Sequence, residues 1–204
     1  MSRVGGWPMV AVLATLVIAA AGPAGAAGSI VLPRPGQVGI GIQGGYGMLV
    51  KTGDLGNDFS DGPTIAVRLR YRMRYERALG LSFENERFDI RIPEAIDPLG
   101  FPGRTRVNAV LSGLEFYQMF GTRTRTTKMV MVGAGVAQTS GRTLDHDTFY
   151  PGNGTYVSAG GGFERFLIRS WAIDLSARYM AVFLPDDRNH EAQVALGFIW
   201  YASY

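Results

Sequence analysis

The sequence predicts an all-β fold: an eight-stranded antiparallel up-and-down transmembrane β-barrel, preceded by a cleaved signal peptide. Three observations predict it. First, residues 65–75 read Ile-Ala-Val-Arg-Leu-Arg-Tyr-Arg-Met-Arg-Tyr, apolar at every odd position, with Arg68, Arg70, Arg72 and Arg74 on the even ones. A period of two is a strand, because successive Cβ atoms point to opposite faces; a helix would scatter these arginines around its circumference. The apolar face needs a dry neighbour and the arginine face needs water or carboxylates, which lipid outside and a polar interior both supply. Second, this two-sided pattern recurs through the chain until eight strands are counted. Third, the connections between those strands alternate long and short, as in membrane barrels with short periplasmic turns and longer external loops.

The chain opens with Arg3, an apolar run from Pro8 to Ala21, and Ala24-Gly25-Ala26. A positive start, an apolar core and a small-residue cleavage site read as a secretory signal peptide over residues 1–26. The run is short for a spanning helix, which needs about 20 residues. Residues 27–36 read as a short linker and 37–204 as the barrel. There is no cysteine, which excludes thiol nucleophiles and Cys-based zinc sites and argues against a disulfide scaffold. The formal net charge of +3 is too balanced to imply nucleic acid as a partner. The 28 glycines suit strands that curve and close.

The first strand, Val38 to Val50, sets Val38, Ile40, Ile42, Tyr46 and Met48 on one face and glycines with Gln43 on the other. A polar, turn-rich loop leads to the arginine strand. Its partner follows at once: Leu79, Leu81 and Phe83 face out, Gly80, Ser82, Glu84 and Glu86 in. A three-residue turn at 76–78 would set Arg70 opposite Glu84 and Arg68 opposite Glu86, so that interior charges are paired. A second long loop spans 89–104. The fourth strand, 107–120, puts Leu114, Phe116 and Phe120 out and Glu115 and Tyr117 in; its first half breaks alternation, which leaves room for a bulge. The fifth is 128–139, followed by a long loop at 140–154. The sixth (155–167) points Glu164 inward, and the seventh (171–180) Asp174 and Arg178. The eighth runs from Glu191 to Tyr204.

Two features separate lipid from water outside. Tyr46, Tyr71, Tyr75, Phe116, Trp171, Tyr179, Trp200 and Tyr204 lie on outward faces near strand ends, where interfacial girdles sit. Charges within strands take the inward face: Arg68, Arg70, Arg72, Arg74 and Arg178 against Glu84, Glu86, Glu115, Glu164 and Asp174, five of each sign. A lipocalin-type soluble barrel would show the inverse polarity.

With its signal peptide, eight strands, inward-glycine segments Gly133-Ala-Gly-Val136 and Gly160-Gly-Gly-Phe-Glu164, and closing Val194-Ala-Leu-Gly-Phe-Ile-Trp-Tyr-Ala-Ser-Tyr204, the chain resembles the OmpA/OmpX-like outer-membrane β-barrel superfamily. The resemblance covers about residues 37–204 and has no counterpart of OmpA's periplasmic domain. It implies a bacterial outer-membrane location among lipid and lipopolysaccharide. It also implies an assembly signal at Trp200 and Tyr204, read by the outer-membrane assembly machinery; members mostly end in Phe rather than Tyr.

Chemistry-bearing motifs are sparse. Gly39-Ile-Gly-Ile-Gln-Gly44 fits a dinucleotide fingerprint but sits inside a strand, not between strand and helix. Asp145-His146-Asp147 could bind a metal, but a lone triplet in a polar loop is more often solvated, and Asp54, Asp58 and Asp61 lack the spacing of a calcium loop, so no metal or cofactor is expected. Lipid A deacylases of similar architecture use a His/Ser pair near the last strands. Here Asn189-His190-Glu191-Ala192 lacks that serine, and Asp186 or Asp187 beside His190 does not replace it. No enzymatic activity is expected. An eight-stranded barrel is only wide enough for side chains to fill, so the arginine ladder reads as a structural network. The expected role is envelope integrity or adhesion, with loop aromatics Phe59, Phe101, Phe149 and Tyr150 available to surface partners or lipopolysaccharide. A narrow porin-like channel for small solutes is the first alternative, and a lipid A-modifying enzyme ranks behind it.

Overall fold

The computed structural model describes residues 34–50, 59, 61–89, 104–143, 148–168, 170–185 and 188–202. The expected signal peptide at 1–26, most of the expected linker, Asp54, Asp58, Phe101, the 145–147 triplet, Asp186, Asp187 and Tyr204 lie outside these residues, as do the side chains of Phe149 and Tyr150.

Eight strands form one closed antiparallel barrel: β1 (Val38–Leu49), β2 (Gly62–Arg74), β3 (Arg77–Asp89), β4 (Arg104–Phe120), β5 (Thr126–Thr143), β6 (Thr148–Ile168), β7 (Trp171–Phe183) and β8 (Arg188–Tyr201). Each pairs with its neighbours in sequence, and β8 closes on β1 from Gly39↔Tyr201 to Leu49↔Glu191. Closure removes the free edges that an open sheet would present. Alternation makes the wall two-sided: β3 alternates exposed and buried at every one of its 13 positions. Ile42, Ile65 and Leu114 are 62–63% exposed, and large apolar side chains are exposed on the outward face of every strand. In water such a continuous apolar belt would associate; around a barrel with buried charge it is the surface that lipid covers.

The β2–β3 register differs from the sequence expectation. The turn is two residues, Tyr75-Glu76, with an irregularity between Arg72 and Arg74. Arg70 therefore lies opposite Gly80, and Arg68 opposite Ser82. A turn one residue shorter and begun one residue earlier, together with the irregularity, slides Glu84 and Glu86 four positions along β2, to Ala66 and Thr64. The slide is even, so every side chain keeps its face.

From Val107 onward the fourth strand alternates without a bulge; the irregularity in its pairing with β5 falls earlier, between Arg104 and Arg106. Val107, Ala109 and Leu111 point inward and are buried, so the lumen is not polar along its whole length. They join Phe59, Phe88, Ala137, Tyr156 and Met180 in an apolar cluster at the outer mouth. A second cluster of Ala78, Tyr117, Met119, Met129 and Met131 fills the lumen near the short turns.

The third long loop is mostly strand. β5 and β6 have 18 and 21 residues, against about 9–11 needed to span a bilayer. β6 pairs with β7 no further than Thr155↔Phe183, whereas β5 and β6 stay paired to Arg142↔Thr148. The outer rim is consequently high along β5–β6 and lower along β7, β8 and β1.

Candidate functional site: the charged lumen

Between the two apolar clusters lies a band of buried charge. Arg68, Arg70 and Arg72 sit on alternate positions of β2, so one strand delivers three guanidiniums to one face. Glu84 and Glu86 come from β3, Glu115 from β4, Glu164 from β6, Asp174 and Arg178 from β7, and Glu191 with Gln193 from β8; all are at most 5% exposed. Inward glycines make the room. A Cβ on Gly80 would lie 2.9 Å from the Tyr117 ring, and the Arg70 guanidinium stacks 4.2 Å from the centroid of that ring.

The part of the band nearer the short turns is tightly closed. Arg70 donates to Glu164 Oε2 at 2.6 Å and to Asp174 Oδ2 at 3.0 Å. Arg72 donates to Glu164 Oε1 at 2.6 Å and to the Tyr201 hydroxyl at 3.2 Å. Tyr201 in turn donates to Glu164 Oε2 at 2.6 Å, and Gln43 to Asp174 Oδ1 at 2.6 Å. Two cations meet two anions, with neutral donors on the spare lone pairs. Ionised partners of this kind make the strongest protein hydrogen bonds.

The part nearer the outer mouth is more open. Arg178 bonds Glu84, approaches Glu115 at 3.4 Å and Glu86 at 3.9 Å, and donates to Gln193 Oε1 at 2.7 Å. Arg68 reaches Glu84 at 3.5 Å and Glu115 at 3.7 Å, and its Nε and Nη1 have no hydrogen-bond partner. Tyr117 donates to Glu115, and Gln193 Nε2 donates to Thr64 and Glu86, both at 3.0 Å. Glu191 lies against Gly47, where any Cβ would displace it. Here four carboxyl groups, Glu84, Glu86, Glu115 and Glu191, share two guanidiniums.

Of the ten charged residues the sequence assigned to the interior, nine lie there: Arg68, Arg70, Arg72, Glu84, Glu86, Glu115, Glu164, Asp174 and Arg178. Arg74 does not. It ends β2 beside the turn and is exposed, because the barrel's interior stops there. Glu191, assigned only the start of β8, is inside. The expected balance of five and five is therefore four guanidiniums against six carboxylates among the described residues. Gln43, Tyr201 and Gln193 escaped notice as network members, though strand parity alone puts them inward.

Tyr46, Tyr71, Tyr75, Phe116, Trp171, Tyr179 and Trp200 are 37–55% exposed on the outer wall. Trp171 and Trp200 are cross-strand partners at the short-turn end, whereas Tyr46 and Tyr179 lie toward the outer rim. His190 faces outward beside Tyr179, ring centroids 5.7 Å apart, and so does not reach the lumen. Among the described residues no group of three or more His, Asp or Glu is placed to hold a metal.

No protein-family model matches the chain, and no curated protein is significantly similar to it in sequence. Solved structures are similar in fold. They include Neisserial surface protein A (TM-score 0.61, 10% identity, 80% of this chain and 96% of that one). The outer membrane protein OprG of Pseudomonas aeruginosa matches at TM-score 0.55 and 13% identity, over 86% and 100% of the two chains. Ail, the attachment invasion locus protein of Yersinia pestis, matches at 0.52 and 12%, over 82% and 100%. Such identities carry the fold alone. Together with the apolar wall and the charged lumen, they give the chain the fold of a small eight-stranded barrel of the bacterial outer-membrane type.

Proposed function

We propose that this barrel serves the envelope as a structural and surface-interaction protein, supporting integrity or adhesion through its outer rim, and does not carry solutes through its lumen. The observation behind this reading is the tie across the interior. Arg70 on β2 is bonded to Glu164 on β6 and Asp174 on β7, on the far side of the barrel. Opening a path there means breaking buried, charge-assisted bonds. The apolar clusters stand above and below the tie, and the cavity at the outer mouth, beside Phe59, is about 30 Å³, the volume of a water molecule or so. Attachment is named in the description of Ail, and surface location in that of the neisserial protein; both fit a barrel that acts by its rim. No catalysis is part of the proposal, since His190 faces the outer wall.

The test has two arms. In planar bilayers the refolded protein should give no unitary conductance; reproducible steps would replace this reading with the narrow channel. Displayed by a Gram-negative host, the chain should raise either adherence or resistance to detergent. A host that gains neither sinks the proposal.

A further inference from the structure

The rim that carries the short turns is basic. Arg74, Arg77, Arg123, Arg125 and Lys128 are exposed there and Arg165 is half exposed, whereas Glu76 is the one exposed carboxylate among that rim's described residues. Arg74 and Arg77 are Cα partners across the Tyr75-Glu76 turn. Like charges set directly opposite destabilise a strand pair, yet among the described residues no carboxylate forms an ion pair with either. A cleft of about 590 Å³ opens between this turn and the β4–β5 turn, lined by Arg74, Tyr75, Glu76, Arg77, Thr122 and Arg123. Three guanidiniums thus converge on a concave space with one carboxylate at its wall. Beside it the lipid-facing wall begins with Tyr75 and Phe120, each at least half exposed. Lys128 and Arg165, on outward positions of β5 and β6, continue the positive charge along the same edge.

We propose that this cleft binds the headgroup phosphate of an anionic phospholipid in the leaflet that meets the short-turn rim. Guanidinium forks match phosphate oxygens in pairs, and an anion between Arg74 and Arg77 converts their repulsion into a bridge. A lipid, unlike a free anion, also uses the apolar wall. Its phosphate lies at the level of the arginines while its chains run along Tyr75 and Phe120.

The test reconstitutes the protein in phosphatidylcholine vesicles. These contain a trace of spin-labelled phosphatidylglycerol or spin-labelled phosphatidylcholine, and the motionally restricted fraction is read by electron spin resonance. Phosphatidylglycerol should be preferred at least about fivefold, as expected when even one interfacial cation is engaged. The R74Q/R77Q/R123Q variant should fall to near parity, while Arg106→Gln on the opposite rim keeps the preference. A heat-dependent mobility shift on SDS gels confirms that each variant is folded; if the triple variant is not, Arg123→Gln alone should still reduce the preference. No preference in the parent chain, or an undiminished one in the folded variant, overturns the proposal. So does loss of the preference to excess inorganic phosphate at matched ionic strength, which would make the cleft a free-anion site.

Discussion

Two charge clusters share one lumen and one strand, and they are built differently. Arg70 and Arg72 face Glu164 and Asp174 at 2.6–3.0 Å, with Tyr201, Gln43 and the Tyr117 ring completing the shell. Arg68, two residues along the same face, meets its carboxylates at 3.5 and 3.7 Å, and two of its nitrogens have no hydrogen bond. Strand alternation delivers all three arginines equally; what separates them is whether the opposite wall offers carboxylates in matching number and neutral donors for the remaining lone pairs. Burial of an ion pair is favourable only where the geometry is good and the surrounding hydrogen bonds are complete. The tight cluster comes nearer to that condition, with Nε of Arg70 and of Arg72 and Oε1 of Gln43 left unbonded, and acts as the tie across the barrel, whereas the open one is a looser collection around Arg178.

The largest effect should come from Glu164→Gln, which removes the charge and one of the two acceptor oxygens shared by Arg70, Arg72 and Tyr201 and sets an amide donor in its place. The loss is expected at about 3–5 kcal/mol, the range for breaking one partner from a buried pair. It would be measured as a lower urea midpoint in lipid vesicles or as loss of the heat-dependent gel shift. Arg70→Met should cost about 3 kcal/mol by the same reasoning, since it leaves Asp174 with Gln43 alone. Gly80→Ala, which forces the Tyr117 ring off Arg70, should cost about 1–3 kcal/mol as an overpacked site. Arg68→Met should cost less than Arg70→Met, about 1–2 kcal/mol, because its carboxylates lie farther off, though they are left with Arg178 as their one guanidinium. Equal losses for Arg68→Met and Arg70→Met would erase the distinction between the clusters. A double-mutant cycle showing strong Arg70–Glu164 coupling and weak Arg68–Glu84 coupling would sharpen it.

The eight strands and their faces were legible in the sequence because a period of two is a local property: Ile65 to Tyr75 declares its two faces without reference to any partner. Pairings were less legible. The β2–β3 register depends on the turn length and on an irregularity at Arg72–Arg74 that no residue type marks. The bonds that close the tight cluster join residues 92 and 94 positions apart, and they are set by how the strands stagger when the barrel closes. Val107, Ala109 and Leu111 looked like a break in alternation because an apolar inward face contradicts the expected polar lumen. The structure resolves it by placing them beside Phe59 and Phe88 at the mouth. Loop three was misjudged as well: 140–154 reads as one long loop, yet β5 runs to Thr143 and β6 begins at Thr148.

The uneven outer rim has a consequence for how anything approaches the barrel from outside. Residues 148–154 of β6 continue past the last pair with β7, roughly 20 Å of strand at 3.3 Å per residue. Held to β5 by ladder pairs, this length is a stiff parapet on one side of the mouth rather than a slack loop. Among the described residues the wall therefore stands higher at β5–β6 than at β7. A partner pressing on this crest meets the backbone of a paired ribbon whose shape the ladder fixes.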